Sequence, residues 1–523
     1  MTLNETMLLK NISYPDFDDM SWKKASVLIK NGLIEGVYDP GQEPDRTNSS
    51  LAAAAIKDLE GKILIPAFLD SHLHPHNWAT REMMPPIREA GSIEEFLKII
   101  DDHMKKLPQD TPFVYISAWK ENQFVEKRAP KREELDLVSY GIPLLCSRIC
   151  GHVAMVNTAL LNLLDWQSQY AEDPARVELD AAGLPTGRIT EDFYNYVLDH
   201  YSQEETKAQV KAKLAFALDA MGKAGLAVLG ANDQAFPFNE TFWQALEELY
   251  QERPDLPAYY AQVSLSSPNQ IEALAKLKER YQGHPKIQIC HIKLFKDGSL
   301  GGRTALLRED YEDGPGRGAD LISKKKLEDW FKEADRWHIP LAIHAIGDKA
   351  SEDIADAALK TKPAGPRPRH LLIHAQIHDR ALLDKLKQSG LYLCVQPSFT
   401  RSDWTMARTA LGNRLDQLYL FHAMYEKDIP LGFSTDSPVE KMEPLHSIAL
   451  SMKDPRGPAF SFDFLQALEA YSKGNARIWD LENRLGQIKP AYQAKLLILD
   501  ETDPKVLEDP DRLTDVKILE RMD

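Results

Sequence analysis

The chain has 523 residues, 43% of them hydrophobic, which is enough to bury a large core and excludes a disordered protein. Lysine and arginine number 63 against 79 aspartates and glutamates, a formal charge of −16 that is unsuited to a phosphate backbone and excludes nucleic acid as a partner. No apolar stretch is long enough to span a bilayer and four cysteines are too few to brace so long a chain, so the expectation is a soluble, unexported, cytoplasmic protein that meets no membrane. The N-terminus reads as short strands, "ASVLIKNGLIEGVY" and "GKILIPA", and the C-terminus offers another, "AKLLILDE". These β-rich ends predict one small composite β domain built from residues 1–65 and 485–523.

Between them the chain alternates. "ILIPAFLDSHLH" reads as one strand, followed by "GLAVLGAND", "AYYAQVSL", "KIQICHIKLF", "IPLAIHAI", "HLLIHAQ", "LYLCVQP" and "IPLGFSTD", with amphipathic helices such as "KKKLEDWFKEADRW" and "DRALLDKLKQSG" between strands. Eight β/α units with no glycine-rich dinucleotide fingerprint predict a closed, distorted (β/α)8 barrel over residues 66–484. The interval from about 79 to about 203 holds more than one helix and reads as an insertion after the first strand. In it, Cys146, Cys150 and His152 of "CSRICGH" lack a fourth partner for structural zinc and read as core thiols beside a histidine.

Barrel chemistry sits at the carboxyl ends of the strands. His72 and His74 of "DSHLHPHN" end the first strand two residues apart, so their side chains share a face and can converge on a metal ion. Lys293 falls on the fourth strand, His344 on the fifth, His374 on the sixth and Asp436 on the eighth. A lone histidine at a strand end is usually a hydrogen-bonded structural residue, but six candidates in register have no such explanation. Asp436 also admits a reading as a helix N-cap before "SPVEKMEPLH". His291 is a competing ligand that sits deeper in its strand. Lys296 points away from Lys293 and reads as a surface or loop residue.

This order, with "GKILIPAFLDSHLH", "HIKLFKDGSLGGRTALL", "IHAIGD", "HLLIHAQIHD", "QPSF" and "STDSPV", resembles the amidohydrolase superfamily, in the branch that contains N-substituted formamide deformylase. The resemblance implies two divalent metals, commonly zinc. His72 and His74 would hold one and His344 and His374 the other, with Lys293 carboxylated on its amine to bridge them and Asp436 completing the first site. It implies that Asp436 takes the proton of the attacking water and passes it to the leaving nitrogen.

The expected reaction is hydrolysis of an amide, N-formyl or N-acyl C–N bond in a small molecule. Ester, lactone or phosphoester hydrolysis is the alternative, and a non-catalytic metal-containing regulatory or binding protein is the reading from another class. His76, Trp119, His152, Asp297 and Arg303 are candidate substrate contacts, with a loop-bracing ion pair as the competing role for Arg303 and helix capping the role expected of Asp348. The partner expected is a small-molecule substrate, and the assembly considered is a homodimer. Tyr492 and Lys495 break the pattern of a Pro-Gly turn and an Ala-Asp pair that many relatives carry before the last strand, and Cys150 stands where an acidic residue is common.

Overall fold

The computed structural model describes residues 6–44, 54–108, 111–121, 123–148, 153–201 and 204–522. Met1–Asn77 and Leu214–Asp523 form one compact unit, and Trp78–Lys213 form a second.

The first unit holds eight parallel strands: β1 (Phe68–Leu73), β2 (Leu226–Ala235), β3 (Ala258–Ser264), β4 (Ile287–Phe295), β5 (Leu341–Ala345), β6 (Leu371–His374), β7 (Tyr392–Val395) and β8 (Leu431–Phe433). They hydrogen-bond in sequence order from β1 to β8 as a nearly closed (β/α)8 barrel. The seam between β8 and β1 is held by side chains. Asp70 accepts from the backbone and hydroxyl of Thr435 at 3.0 and 2.7 Å, and the Asn475 amide donates to the carbonyls of Leu69 and Phe433. Beyond the strand ends, Asp436 N donates to His72 O at 2.9 Å and His74 N to Ser437 O at 2.8 Å. The first and last barrel strands therefore meet where the candidate ligands lie.

The helices follow from their sequence period. In Lys324–Trp337, Leu327, Trp330, Phe331 and Ala334 are buried, an i, i+3, i+4, i+7 stripe that faces the barrel, while the lysines remain exposed. Each large apolar side chain buried this way contributes roughly 1.5–3 kcal/mol. Arg380–Ser389 starts because Asp379 accepts from Leu382 N at 2.7 Å and stops at Gly390, whose φ of 71° suits glycine.

The apolar run expected as a single first strand divides at Ala67. Leu64–Pro66 pairs antiparallel with Leu496–Leu499, and Ala67 N donates to Lys495 O, so the polypeptide leaves one sheet before entering the barrel. The three-stranded sheet containing Leu64–Pro66 packs on a four-stranded sheet of Met7–Asp16, Ser21–Lys30, Leu33–Tyr38 and Ala55–Asp58. Leu9, Val27 and Ile34 from one chain end and Leu496 and Ile498 from the other share a core, making a composite β-sandwich.

The second unit, Trp78–Lys213, follows β1 and carries its own five-stranded sheet. Phe96, Trp119 and Phe124 anchor one apolar cluster and Val156, Ile189 and Phe193 another.

Among the described residues no helix is long and apolar enough to cross a membrane.

Candidate metal centre

The barrel register brings the strand ends together. Phe295 lies opposite His344 and Ala345 opposite His374, so the candidates on β4, β5 and β6 rise to one level. The ring centroids of His72 and His74 are 5.1 Å apart, those of His72 and His374 5.8 Å, and those of His344 and His374 4.4 Å. The ligand atoms of His72, His74 and Asp436 all lie within 4.8 Å of one another. Lys293 Nζ stands 3.3 Å from His72 Nε2.

The hydrogen bonds fix which nitrogen of each ring carries the proton. His74 Nδ1 meets the Asn232 carbonyl at 2.6 Å, and a carbonyl only accepts, so Nδ1 is protonated and Nε2 holds the lone pair. His72 Nδ1 meets Gln262 Oε1 at 2.8 Å, and the orientation of that amide is set by its nitrogen, which donates to Ser71 O at 2.7 Å. His374 Nδ1 meets Gln396 Oε1 at 2.8 Å, and Gln396 Nε2 donates to Ser434 Oγ at 2.7 Å. His344 is reversed: Nε2 donates to Gly298 O at 3.1 Å and leaves Nδ1 as the free nitrogen. Outer partners of this kind set the tautomer of metal-binding histidines.

Two lone pairs then face a carboxylate oxygen, His72 Nε2 at 3.4 Å and His74 Nε2 at 3.2 Å from Asp436 Oδ1. Three acceptors this close repel unless a cation or proton stands among them. Burial and the neighbouring Lys293 hold the His72 pKa well below the usual histidine value. For His74 burial acts against the proton, but the attraction of Asp436, joined by that of Asp233, outweighs it and the pKa is raised. This cradle fits a divalent metal by the chemistry of its donor set.

Burial pulls the Lys293 ammonium down to about 8, against the attraction of Asp436. The neutral amine, the form that adds CO2, is thus accessible near neutral pH. His374 and Asp436 both adopt left-handed backbone, with φ of 79° and 55°. Non-glycine residues there cost roughly 1–3 kcal/mol each and gather at functional sites. The helix-cap reading of Asp436 is not realised, since the next helix starts at Pro444 with Glu443 as its N-cap residue.

Other expectations land elsewhere. Asp297 is buried, and its carboxylate accepts from the backbone of Leu306, Ile346 and Gly347, tying the loop after β4 to the end of β5. Burial pushes its pKa up to about 7, against those hydrogen bonds. Gly347 is required there because a Cβ would fall 1.9 Å from Leu306 O. Arg303 pairs with Asp313, with Nε 3.0 Å from Oδ1, and braces its own loop.

Gly347, not Asp348, is the cap of the helix Asp348–Lys360; Asp348 occupies its first turn and accepts from Arg308 N. Lys296 is fully buried rather than superficial: its Nζ reaches Asp320, Asp353 and the Ile322 carbonyl, an arrangement that makes an inward-turned lysine tolerable. The backbone of His76 opens the helix Pro75–Glu82 by donating to Asp233, and its ring lies 5.9 Å from that of Phe242.

Trp119 is buried in the second unit with Nε1 donating to Cys146 O. Cys146 is a buried free thiol, its pKa raised by burial, as a core reading requires. His152 and Cys150 lie outside the described residues. The outer partners Gln262 and Gln396 had no assigned role in sequence; the available signal was a glutamine in the otherwise apolar "AYYAQVSL" and another in "QPSF".

Lone pairs turned toward one another at the mouth of a parallel barrel form a cradle for a metal, and the family and the solved structure that this chain matches make the protein a metal-dependent hydrolase. The chain belongs to the amidohydrolase family, whose model matches residues 55–519. It is similar to the amidohydrolase YtcJ of Bacillus subtilis (strain 168), 27% identical over 494 residues that cover 91% of this chain and 90% of that protein. It is also similar to N-substituted formamide deformylase of Arthrobacter pascens, 22% identical over 539 residues that cover 96% and 95%. A solved structure of an uncharacterised metal-dependent hydrolase from Pyrococcus furiosus matches with a TM-score of 0.78 and 26% identity, covering 95% of this chain and 99% of that one.

Proposed function

We propose that the protein hydrolyses a C–N bond of the amide, N-formyl or N-acyl type in a small molecule, using two zinc ions. The observation that carries this reading is the set of three mutually facing acceptors, His72 Nε2, His74 Nε2 and Asp436 Oδ1. His344 Nδ1 and His374 Nε2 are the free nitrogens that would hold a second ion, and Lys293, after CO2 adds to its neutral amine with loss of a proton, would supply a carboxylate to the centre. When bound, the metals supply the Lewis acid and the activated water of the reaction.

The chain's own residues do the rest. Asp436 Oδ accepts the proton of the attacking water and returns it to the leaving nitrogen, which departs as a neutral amine. Gln262, Asn232 and Gln396 hold the imidazoles in one tautomer, so that no ring must turn during a cycle.

Metal analysis of protein purified without chelator, followed by a hydrolysis screen of N-formyl and N-acyl amines, tests the reading. The expected result is about two divalent ions per chain and hydrolysis that a chelator abolishes and zinc restores. Cleavage of esters, lactones or phosphoesters without any amide hydrolysis would move the assignment to that alternative. Full activity in metal-free protein would overturn it.

A second test concerns the outer partners. Gln262→Leu keeps the side-chain volume but removes the acceptor from His72 Nδ1, so divalent-metal affinity should fall roughly 10–100-fold, read by competition against a chelator.

A further inference from the structure

Phe295, the last residue of β4, is 44% exposed. Scattered apolar residues are normal on a protein surface, so exposure alone carries nothing. Its place does. Two positions after Lys293 on the same strand, Phe295 shares the inward face of the lysine, and in the barrel register it lies opposite His344. The ring centroids of Phe295 and His344 are 5.6 Å apart, and Lys293 Nζ is 4.8 Å from the Phe295 centroid. The ring therefore stands in the open mouth of the barrel, at the edge of the candidate metal centre. Leu321, 58% exposed, is held at the same strand end by a hydrogen bond from its N to Lys296 O at 3.0 Å.

The ring contacts give the cluster an order. Asp436 meets His72 and His74, His72 faces His374, His374 faces His344, and His344 faces Phe295. Phe295 thus adjoins the end of the cluster remote from Asp436. In the reaction proposed above Asp436 returns a proton to the leaving nitrogen, so that nitrogen and its substituent lie on the side of Asp436. The other substituent of the carbonyl carbon is then directed toward His344 and Phe295. An apolar wall there receives an acyl group with a hydrocarbon body. A formyl group bears only hydrogen on the carbonyl carbon and has nothing to place against it.

We propose that Phe295 is a specificity-determining residue that packs against an aromatic group on the acyl side of the scissile bond, so that amides of arylacetic or similar aromatic acids are hydrolysed in preference to N-formyl amines. Two rings gain from offset or edge-to-face packing beyond the area they bury, which favours an aromatic over an aliphatic acyl group. The choice of the acyl side rests on the C–N hydrolysis reading, whereas the ring contact does not.

The test has two arms on the zinc-loaded full chain. N-methyl-2-phenylacetamide and N-benzylacetamide are isomers that carry the same ring on the acyl and the amine side. The first should be cleaved with a kcat/KM roughly tenfold or more above the second, and Phe295→Ala should remove that preference through KM. Calorimetric titration with phenylacetohydroxamate and acetohydroxamate reads the ring contact without turnover. The parent should bind the phenyl compound roughly tenfold or more tighter, and Phe295→Ala should bring the two together at unchanged metal content. Equal affinities in the parent, equal weakening of both hydroxamates by Phe295→Ala, or a preference for N-benzylacetamide would overturn the proposal. Hydroxamate discrimination that depends on Phe295, with neither amide cleaved, would support the aromatic contact and retire the C–N reading instead.

Discussion

Asp436→Asn is expected to leave metal content close to that of the parent while lowering the hydrolysis rate by roughly 10²-fold or more. The amide keeps the size of the carboxylate and one carbonyl oxygen facing His72 and His74, so the cradle retains most of its donor set. It loses basicity: an amide oxygen does not take a proton from water near neutral pH. The left-handed backbone at this position is also undemanding for asparagine, which tolerates it as well as aspartate does. Activity should therefore fall through the rate constant rather than through unfolding or metal loss, and measuring both quantities on the same preparation separates these routes. Full activity would show that the proton travels by another group.

Lys293→Ala should behave differently and lose metal and turnover together. The side chain is buried and stands 3.3 Å from His72 Nε2, within a ring of imidazoles. In the unmodified ammonium form it opposes a cation, whereas the carboxylated form proposed above would supply two oxygens to the centre. In the proposed two-metal centre alanine would remove the lysine's carboxylate, leaving four imidazoles and Asp436 to hold the ions. Short carboxylic acids or bicarbonate added to this variant should restore part of the metal content and part of the rate, a rescue unavailable to Asp436→Asn. Two ions and normal turnover in Lys293→Ala would give the bridging role to another residue.

The barrel was legible because each of its strands is a short apolar run and each helix carries a stripe of period 3.6, and the ligand candidates because they recur at the ends of those runs. His344 and Asp436 illustrate this: neither has a local motif of metal-binding spacing, yet each ends a recognisable strand. What sequence conceals is tertiary. Nothing near Lys296 predicts that Asp320 and Asp353 close around it, so a lysine pointing away from its neighbour appeared superficial. Arg303 was open between substrate and loop because its partner, Asp313, is fixed only by the fold of that loop. The roles of Gln262 and Gln396 depend on which imidazole each meets across the barrel. The division at Ala67 was invisible because both sides of it are equally apolar and are told apart only by which sheet receives them.

The seam between β8 and β1 has a consequence in time. His74 and Asp436 are 362 residues apart in sequence, yet Nε2 of one stands 3.2 Å from Oδ1 of the other. At a synthesis rate of roughly 5–20 residues per second, the two histidines emerge from the ribosome about 20–70 s before the carboxylate that completes their cradle. During that interval the first barrel strand has neither its closing neighbour nor, for still longer, the Leu496–Leu499 strand that pairs with the segment just before it. Metal capture is thus a late event in the life of each chain, and a nascent protein arrested short of Asp436 would present paired imidazoles without a counter-charge. Occupancy of the complete cradle therefore reports that the chain has been made at least as far as Asp436, beyond β8.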